Sequence, residues 1–341
     1  MARSLLTLQM DSVTAMLNCE FTDHPVYDGL ELQWFDDARH GTGMLVFLSR
    51  RSDRSVDYYL APGLALDRAN YRLGGGSGSW TPTDFDLAHL QVHPDGVVAH
   101  VRFTDVDGRL IEVDVDDRDG RPRRPAGLLA PVGAGISDPD SLLLVWMPAF
   151  DLVRTSGRAQ FRIDGQAAAT GRLPAARLHR RLLVKYAAPL VTASLARTYD
   201  GPLDGLPGVR STAPAAELDG HTARVELDPG MPDPTGLASG VSATGAWWVM
   251  IDDVRLTGGK WSMMRDGEQV TVELDVTQRW RPGRLPALMR VVTTLVPVFR
   301  RWPTTYRWRG QVTLGTRPWV RGHWERTGTG GGEEYRRRTQ G

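Results

Sequence analysis

A single cysteine, Cys19, stands among 341 residues, which excludes a disulfide framework and any metal cluster built on cysteine. Lysine is almost as scarce. Lys185 and Lys260 are the only two, and neither follows the glycines of a phosphate-binding loop. No apolar run approaches the roughly 18 residues of a membrane span. The opening string MARSLLTLQMD lacks the apolar core of about 7–15 residues that a secretory leader needs, so a cytoplasmic protein is expected. Net charge is also missing. Against 40 acidic residues stand 41 basic ones, a total of +1, and the chain as a whole gives no reason to expect nucleic acid.

Further absences narrow the chemistry. The glycines at 74–76 and 78 lack the strand-to-helix setting of a dinucleotide fingerprint and read as a loop. Neither a Gly-x-Ser-x-Gly elbow nor a His-Glu-x-x-His helix occurs. The acidic runs at 105–107 and 114–119 miss the calcium-loop spacing and read as solvated turns. No cofactor is therefore expected.

What the chain has in plenty is turn formers and alternation. Glycine (37) and proline (22) exceed their usual joint share of roughly 12%, which argues against a helical bundle. Ala159, Phe161 and Ile163 alternate with Arg158, Gln160 and Arg162. Ala223, Val225 and Leu227 do the same, as do Val270, Val272, Leu274 and Val276. Leu30, Leu32 and Trp34 keep this phase, and so do Trp308, Val312 and Leu314. Strands of this kind bury one face, so a mainly β chain is predicted.

Residues 86–117 can be threaded as an antiparallel meander. A turn at Asp95-Gly96 pairs His93 with Val98 and Gln91 with His100, and gathers Leu90, Val92, Ala99, Val101 and Phe103 on one face. A three-residue loop with Gly108 in the left-handed conformation then sets Phe103, Val101 and Ala99 against Ile111, Val113 and Val115. Two segments read as helices. One, 174–187, places Leu178, Leu182, Leu183 and Tyr186 opposite Arg180, Arg181 and Lys185; the other, 286–302, aligns Leu288, Val292, Leu295 and Phe299, with Pro297 interrupting. Each begins at a copy of Gly-Arg-Leu-Pro-Ala, at 171–175 and 283–287, and duplication and coincidence both remain open. The expected organisation is a first β domain over 1–170, a connecting helix over 171–200, a second β domain over 201–326 that includes helix 286–302, and a disordered tail over 327–341. The Gly/Pro-rich stretch 200–220 reads as a linker or long loop.

From Phe150 to Leu173 the chain reads FDLVRTSGRAQFRIDGQAAATGRL. An extended lead, Ser-Gly, an alternating strand, Ile-Asp-Gly and a returning strand ending in Thr-Gly resemble a segment of the carotenoid 1,2-hydratase and AttH-like proteins. The resemblance implies two lipocalin-like antiparallel β-barrel or sandwich units with a few short helices. It also implies a lipophilic small-molecule partner such as a polyene, terpenoid or polyketide. Family members continue with an Asp-His-x-Trp-type sequence, whereas here Arg172 to His179 lead into a basic stretch, and no catalytic residue is carried over.

Eleven tryptophans supply candidate ligand contacts. Trp34, Tyr59, Trp146, Trp247, Trp248 and Met250 are the candidate ligand-binding residues. Asp57 shares a strand face with Tyr59, Asp252 shares one with Trp248 and Met250, and Asp253 lies in phase with Trp247. A carboxyl beside apolar and aromatic groups can have its pKa raised and act as a general acid, so Asp57, Asp252 and Asp253 are the candidate catalytic residues. His89, His93 and His100 share a face of the meander with Gln91 and Arg102 and form the candidate metal set. Plainer readings stand beside each: core tryptophans, turn-capping aspartates, a solvated polar face.

The neutral total conceals an asymmetry. Residues 277–341 hold 14 arginines against Glu325, Glu333 and Glu334, with Trp280, Trp302, Trp308, Trp319 and Trp324 interleaved. Three readings follow in order of preference: an intramolecular dock onto the acidic remainder, a membrane surface contacted through 286–326, and nucleic acid. The expected function is handling of a lipophilic small molecule, with acid-assisted hydration, cyclisation or isomerisation. The alternative is a non-catalytic carrier of lipid or hydrophobic ligand whose basic C-terminal segment touches a membrane.

Overall fold

The computed structural model describes residues 5–71, 77–154, 158–172, 182–206, 214–281, 285 and 287–327. Strand makes up 58% and helix 6%, so the chain is mainly β, in curled half-barrel sheets. In order the strands are β1 (Leu8–Val13), β2 (Ala15–Glu20), β3 (Tyr27–Asp37), β4 (Gly41–Arg50), β5 (Val56–Leu60), β6 (Ser77–Pro82), β7 (Leu87–His93), β8 (Gly96–Thr104), β9 (Leu110–Asp116), β10 (Ala126–Ala130), β11 (Leu142–Leu152) and β12 (Ala159–Ile163). They continue with β13 (Gln166–Ala167), β14 (Val184–Ala187), β15 (Leu190–Leu195), β16 (Tyr199–Pro202), β17 (Ala215–Leu218), β18 (His221–Asp228), β19 (Ser242–Ile251), β20 (Val254–Asp266), β21 (Gln269–Gln278), β22 (Tyr306–Thr313) and β23 (Trp319–Arg326). Two short helices, α1 (Ala287–Leu295) and α2 (Pro297–Arg301), precede β22. No helix among the described residues is long and apolar enough to cross a membrane.

The strands form two compact units, between which the chain passes four times. Unit 1 holds the segment up to Asp11, Leu129–Trp146 and the described residues from Val191 on; unit 2 holds Ser12–Leu128 and Met147–Leu190. The units therefore do not follow the expected boundaries at 170 and 200. Alternation is a local property of sequence, whereas strand partners are chosen over long separations. In β11, Leu142–Trp146 pair with β15, and Phe150–Leu152 pair with β14.

In unit 2 the order β14-β2-β3-β4-β5-β6 makes one sheet, antiparallel but for the parallel pair β5–β6. A five-stranded sheet, β13-β12-β9-β8-β7, supplies the other half of its core. Leu17, Cys19, Leu32 and Val46 from the first sheet meet Ala99, Val101, Phe103 and Phe161 from the second. Burial pushes the Cys19 thiol pKa far up, which leaves it an inert core residue.

The meander forms with the predicted faces, and its second turn has the predicted register: Phe103, Val101 and Ala99 oppose Ile111, Val113 and Val115, with Gly108 at φ +83. The first turn differs. Pro94 and Asp95 form the loop, so His93 pairs with Gly96 and Gln91 with Val98, two residues away from the expected register. Gly96 serves a different purpose, for a Cβ there would lie 2.6 Å from the Asp117 carbonyl oxygen. Because the slip is an even number of residues, the buried face is unchanged.

The predicted helix 174–187 falls partly outside the described residues, and its end is a strand. Leu182, Val184 and Tyr186 are buried and β14 pairs with β2. An apolar pair four residues apart satisfies both a helical and a two-residue period, and Val184 completes the second. The copy of Gly-Arg-Leu-Pro-Ala at 171–175 thus leads toward a strand, while that at 283–287 leads into α1. The second helix prediction agrees with α1 and α2, which break at Val296 before Pro297.

Unit 1 centres on an eight-stranded antiparallel sheet, β16-β23-β22-β21-β20-β19-β18-β17. The described parts of 200–220 are not a free linker. They carry β16 and β17, the two short edge strands of this sheet. One cross-strand row runs Gly245, Trp261, Leu274, Trp308, Trp324. Trp308 lies across Gly310 and Gly322, where any side chain would collide with its ring. With Trp247 beside that row, four tryptophans are 0–2% exposed, and their faces are covered by protein atoms.

Candidate functional site

The aromatic candidates in unit 1 belong mostly to this packing. Trp247 is fully buried, its indole N–H donating to the carbonyls of Lys260 and Asp275 at 3.2 Å each. Trp146 lies in the same core, edge-on to Trp280 at 5.8 Å. Trp248 and the buried Met250 take the opposite face of β19, and the Arg255 guanidinium sits 4.6 Å from the Trp248 ring. Asp252 and Asp253 are the two residues of the β19–β20 hairpin turn, not members of an aromatic pocket. Burial pushes the Asp252 pKa up but is outweighed by hydrogen bonds from His221 and the Thr222 N–H, so its carboxyl stays below the usual range. Asp253 is fully exposed, 3.5 Å from Arg224. The strand alternation simply stops at Ile251, so the phase that linked these acids to the tryptophans does not extend to them.

In unit 2, Asp57 and Tyr59 do share a face, the one turned to the second sheet. Asp57 Oδ2 accepts from Arg50 Nε at 2.5 Å, and its Oδ1 accepts from the Ser79 N–H and hydroxyl. Arg50 also reaches Asp107, which pairs with Arg109; Arg109 in turn lies near Asp105. The Tyr27 hydroxyl donates to Asp105 Oδ2 at 2.5 Å, and burial together with that bond holds its pKa well above the ordinary phenol value. Tyr59 is buried against Phe103 and accepts from the Val106 N–H, and burial lifts its pKa to about 12. This network ties the loop after β8 to the first sheet, so Asp105 is a buried anchor and not the solvated turn residue expected. Asp117 is likewise buried, paired with Arg123. Every acid of the network already has its donors, which suits a structural anchor better than a proton donor.

His89 and His100 stand directly opposite, rings stacked 6.4 Å apart, but His93 pairs with Gly96 farther along and His100 is taken by Asp114 at 2.9 Å. Among the described residues no group of three His, Cys, Asp or Glu side chains is placed to hold a metal. Trp34 is half-buried at the margin of the unit 2 core.

The feature that does join a carboxyl to aromatic rings lies on the other face of the first sheet. Strand pairing aligns Lys185, Asn18, Glu31, Phe47, Tyr58 and Trp80 in one row across β14, β2, β3, β4, β5 and β6. Neighbouring strands lie about 4.8 Å apart, so each side chain reaches the next. Lysine can only donate; Asn18 therefore turns its Oδ1 to Lys185 Nζ at 3.3 Å and its Nδ2 to Glu31 Oε2 at 3.1 Å. Gln33 Nε2 donates to the second carboxyl oxygen at 2.6 Å, while its own Oε1 is buried without a partner. An unpaired buried acceptor costs about 1–3 kcal/mol, and a hydroxyl or water donor would remove that cost.

Aromatic rings continue the row. Trp80 stacks on Tyr58 at 4.2 Å with planes 7° apart, and Phe47 meets Tyr58 edge-on at 5.1 Å. Tyr71 covers them at 5.7 Å from both Phe47 and Trp80 and takes the Tyr58 hydroxyl on its carbonyl. Burial pushes the Glu31 pKa up, against the downward pull of Gln33, Asn18 and Lys185. It also lifts Tyr58 to about 12, with the Glu31 charge adding to the shift. Glu31, Asn18, Lys185 and Trp80 are half-buried while Phe47, Tyr58 and Tyr71 are buried, so the row is open at its polar end and at Trp80. Sequence reasoning passed over Glu31 because Leu30, Leu32 and Trp34 alternate with it, which marks the polar side as solvent. Only the Glu31–Phe47–Tyr58 register shows that side to be aromatic. No family model, no curated protein and no solved structure matches this chain, so the site is read from its own geometry.

Proposed function

We propose that the protein handles a lipophilic, unsaturated small molecule on the Glu31 face and that Glu31 is its general acid. The observation that carries this reading is the row itself: a carboxyl with a raised pKa, fixed by two amides, next to Phe47 at the start of an aromatic cluster and near a buried carbonyl that lacks a donor. Protonated Glu31 gives its proton to one carbon of a ligand C=C bond, whose π pair becomes the new C–H bond. The neighbouring carbon is left cationic, and the electron-rich aromatic row that begins at Phe47 stabilises it. Water adds to that carbon and returns a proton to the Glu31 carboxylate, completing a hydration. Loss of a different proton to the same carboxylate moves the double bond instead; attack by a second C=C bond closes a ring and passes the positive charge to a new carbon, which loses a proton to the same carboxylate. The hydratase segment resembled by Phe150–Leu173 belongs to the same class of chemistry.

The test begins with native extraction and mass spectrometry of hydrophobic ligands retained by the purified protein. The retained compound, or a polyene and terpenoid panel in detergent, is then incubated in deuterated water with wild type and with Glu31→Gln. Expected are deuterium incorporation by wild type, a loss of at least about 100-fold in the variant, and similar ligand retention in both. Equal turnover in the two proteins, or no turnover and no retained ligand in wild type, overturns the proposal.

A further inference from the structure

The basic C-terminal region divides into two populations. On the strands, Arg307 pairs with Asp275, Arg309 with Glu273 and Glu325, and Arg321 with Asp200, while Trp319 donates to the same Asp200. These arginines are consumed within unit 1, as the intramolecular reading expected. Around the helices matters differ. Arg279 and Arg290 reach only backbone carbonyls, of Arg300 and Leu285, and no acid among the described residues pairs with Arg279, Arg281, Arg290 or Arg300. From 277 to 324 the chain holds ten arginines and no Asp or Glu.

The same helices turn apolar side chains outward. Met289 and Trp302 are buried and hold the segment down, but Val291 is 50% exposed and Leu295 69%, with Val296 and Val298 also in the open. Val291 and Leu295 follow the i, i+4 spacing of one face of α1, and Val298 lies past the break, on α2. An apolar stripe beside unneutralised guanidinium groups suits an interface that is apolar within and anionic at its rim. A second copy of the chain would oppose arginine to arginine across an isologous contact, which disfavours it. We infer that α1 and α2, with Arg279, Arg281, Arg290 and Arg300, form a docking surface for an anionic lipid bilayer. This keeps only the helical part of the expected 286–326 contact and adds Arg279 and Arg281 from before it, and it does not depend on the Glu31 reading.

The full chain is to be co-sedimented with phosphatidylcholine vesicles with and without phosphatidylglycerol, at low and high salt. Expected is binding to the anionic vesicles that high salt weakens and that Val291→Asp with Leu295→Asp removes. Arg290→Ser with Arg300→Ser should weaken it by about 25-fold, from roughly fivefold per surface arginine. Arg309→Ser, whose guanidinium is already paired, should leave it within about twofold. All these positions are exposed, and unchanged thermal unfolding confirms that the variants fold. Equal loss from Arg309→Ser, equal binding to pure phosphatidylcholine, or no binding alongside dimerisation that the aspartate pair abolishes would each overturn the inference.

Discussion

The interior of unit 1 and the Glu31 face of unit 2 are both rich in aromatic residues, yet they differ in what shares the sheet with them. In unit 1, Trp247, Trp261, Trp308 and Trp324 lie among aliphatic side chains and over glycines, and almost none of their surface is open. In unit 2, Phe47, Tyr58 and Trp80 continue a row that contains Asn18, Glu31 and Lys185. Aromatic content alone therefore does not locate a binding site. A polar group of shifted pKa in the same cross-strand row is the more telling feature, because it sets a titratable carboxyl against an apolar neighbourhood.

The comparison can be broken first by mutation of the largest packing element. Trp308→Ala should cost about 3–5 kcal/mol in a denaturant titration, since Gly310 and Gly322 cannot close the void. Trp80→Ala, at a half-buried position, should cost clearly less; equal losses would mean that both regions are cores. Next comes the anchor network. Tyr27→Phe removes the hydroxyl donor from buried Asp105 and should destabilise by about 1–3 kcal/mol, read by the same titration.

Glu31→Gln sharpens the contrast through pH. The folded-state pKa of Glu31 is raised above its ordinary 4.5, so the group favours folding below that value and loses this contribution as pH rises through the folded pKa. The stability of wild type relative to Glu31→Gln should thus fall as pH climbs from about 4.5, and a difference that is flat with pH would contradict the shift. The smallest effect belongs to the turn. Asp252 has a lowered pKa, so its contribution is present above the ordinary value of 3.8 and fades as pH falls through the folded one. Its side chain is 40% exposed, and Asp252→Asn should change stability by less than about 1 kcal/mol at neutral pH. Glutamine at 31 and asparagine at 252 thus predict opposite pH trends, which one thermal-unfolding series can compare.

Most strands were legible because one face of each is buried, and alternation records that directly. The loop at Gly108 was legible because only one loop length keeps Phe103 and Ile111 on the same side. The turn before β8 was not, since an even slip leaves every face unchanged and the decisive contact, Gly96 against Asp117, is distant in sequence. β14 reads as the end of a helix because Leu182 and Tyr186 fit both periods.

Local patterning is enough to specify a mainly β chain, the inward faces of its strands, the amphipathic segment at 287–301 and the charge asymmetry around it. Pairing over long separations settled which strands became neighbours, how the chain divides into two units, which arginines found acids, and that Glu31 stands in one row with Phe47 and Tyr58. The physical reason is one of range. Side-chain alternation is set within a few residues, whereas cross-strand rows are assembled by hydrogen bonds between segments far apart, and a site built along such a row exists only after they pair.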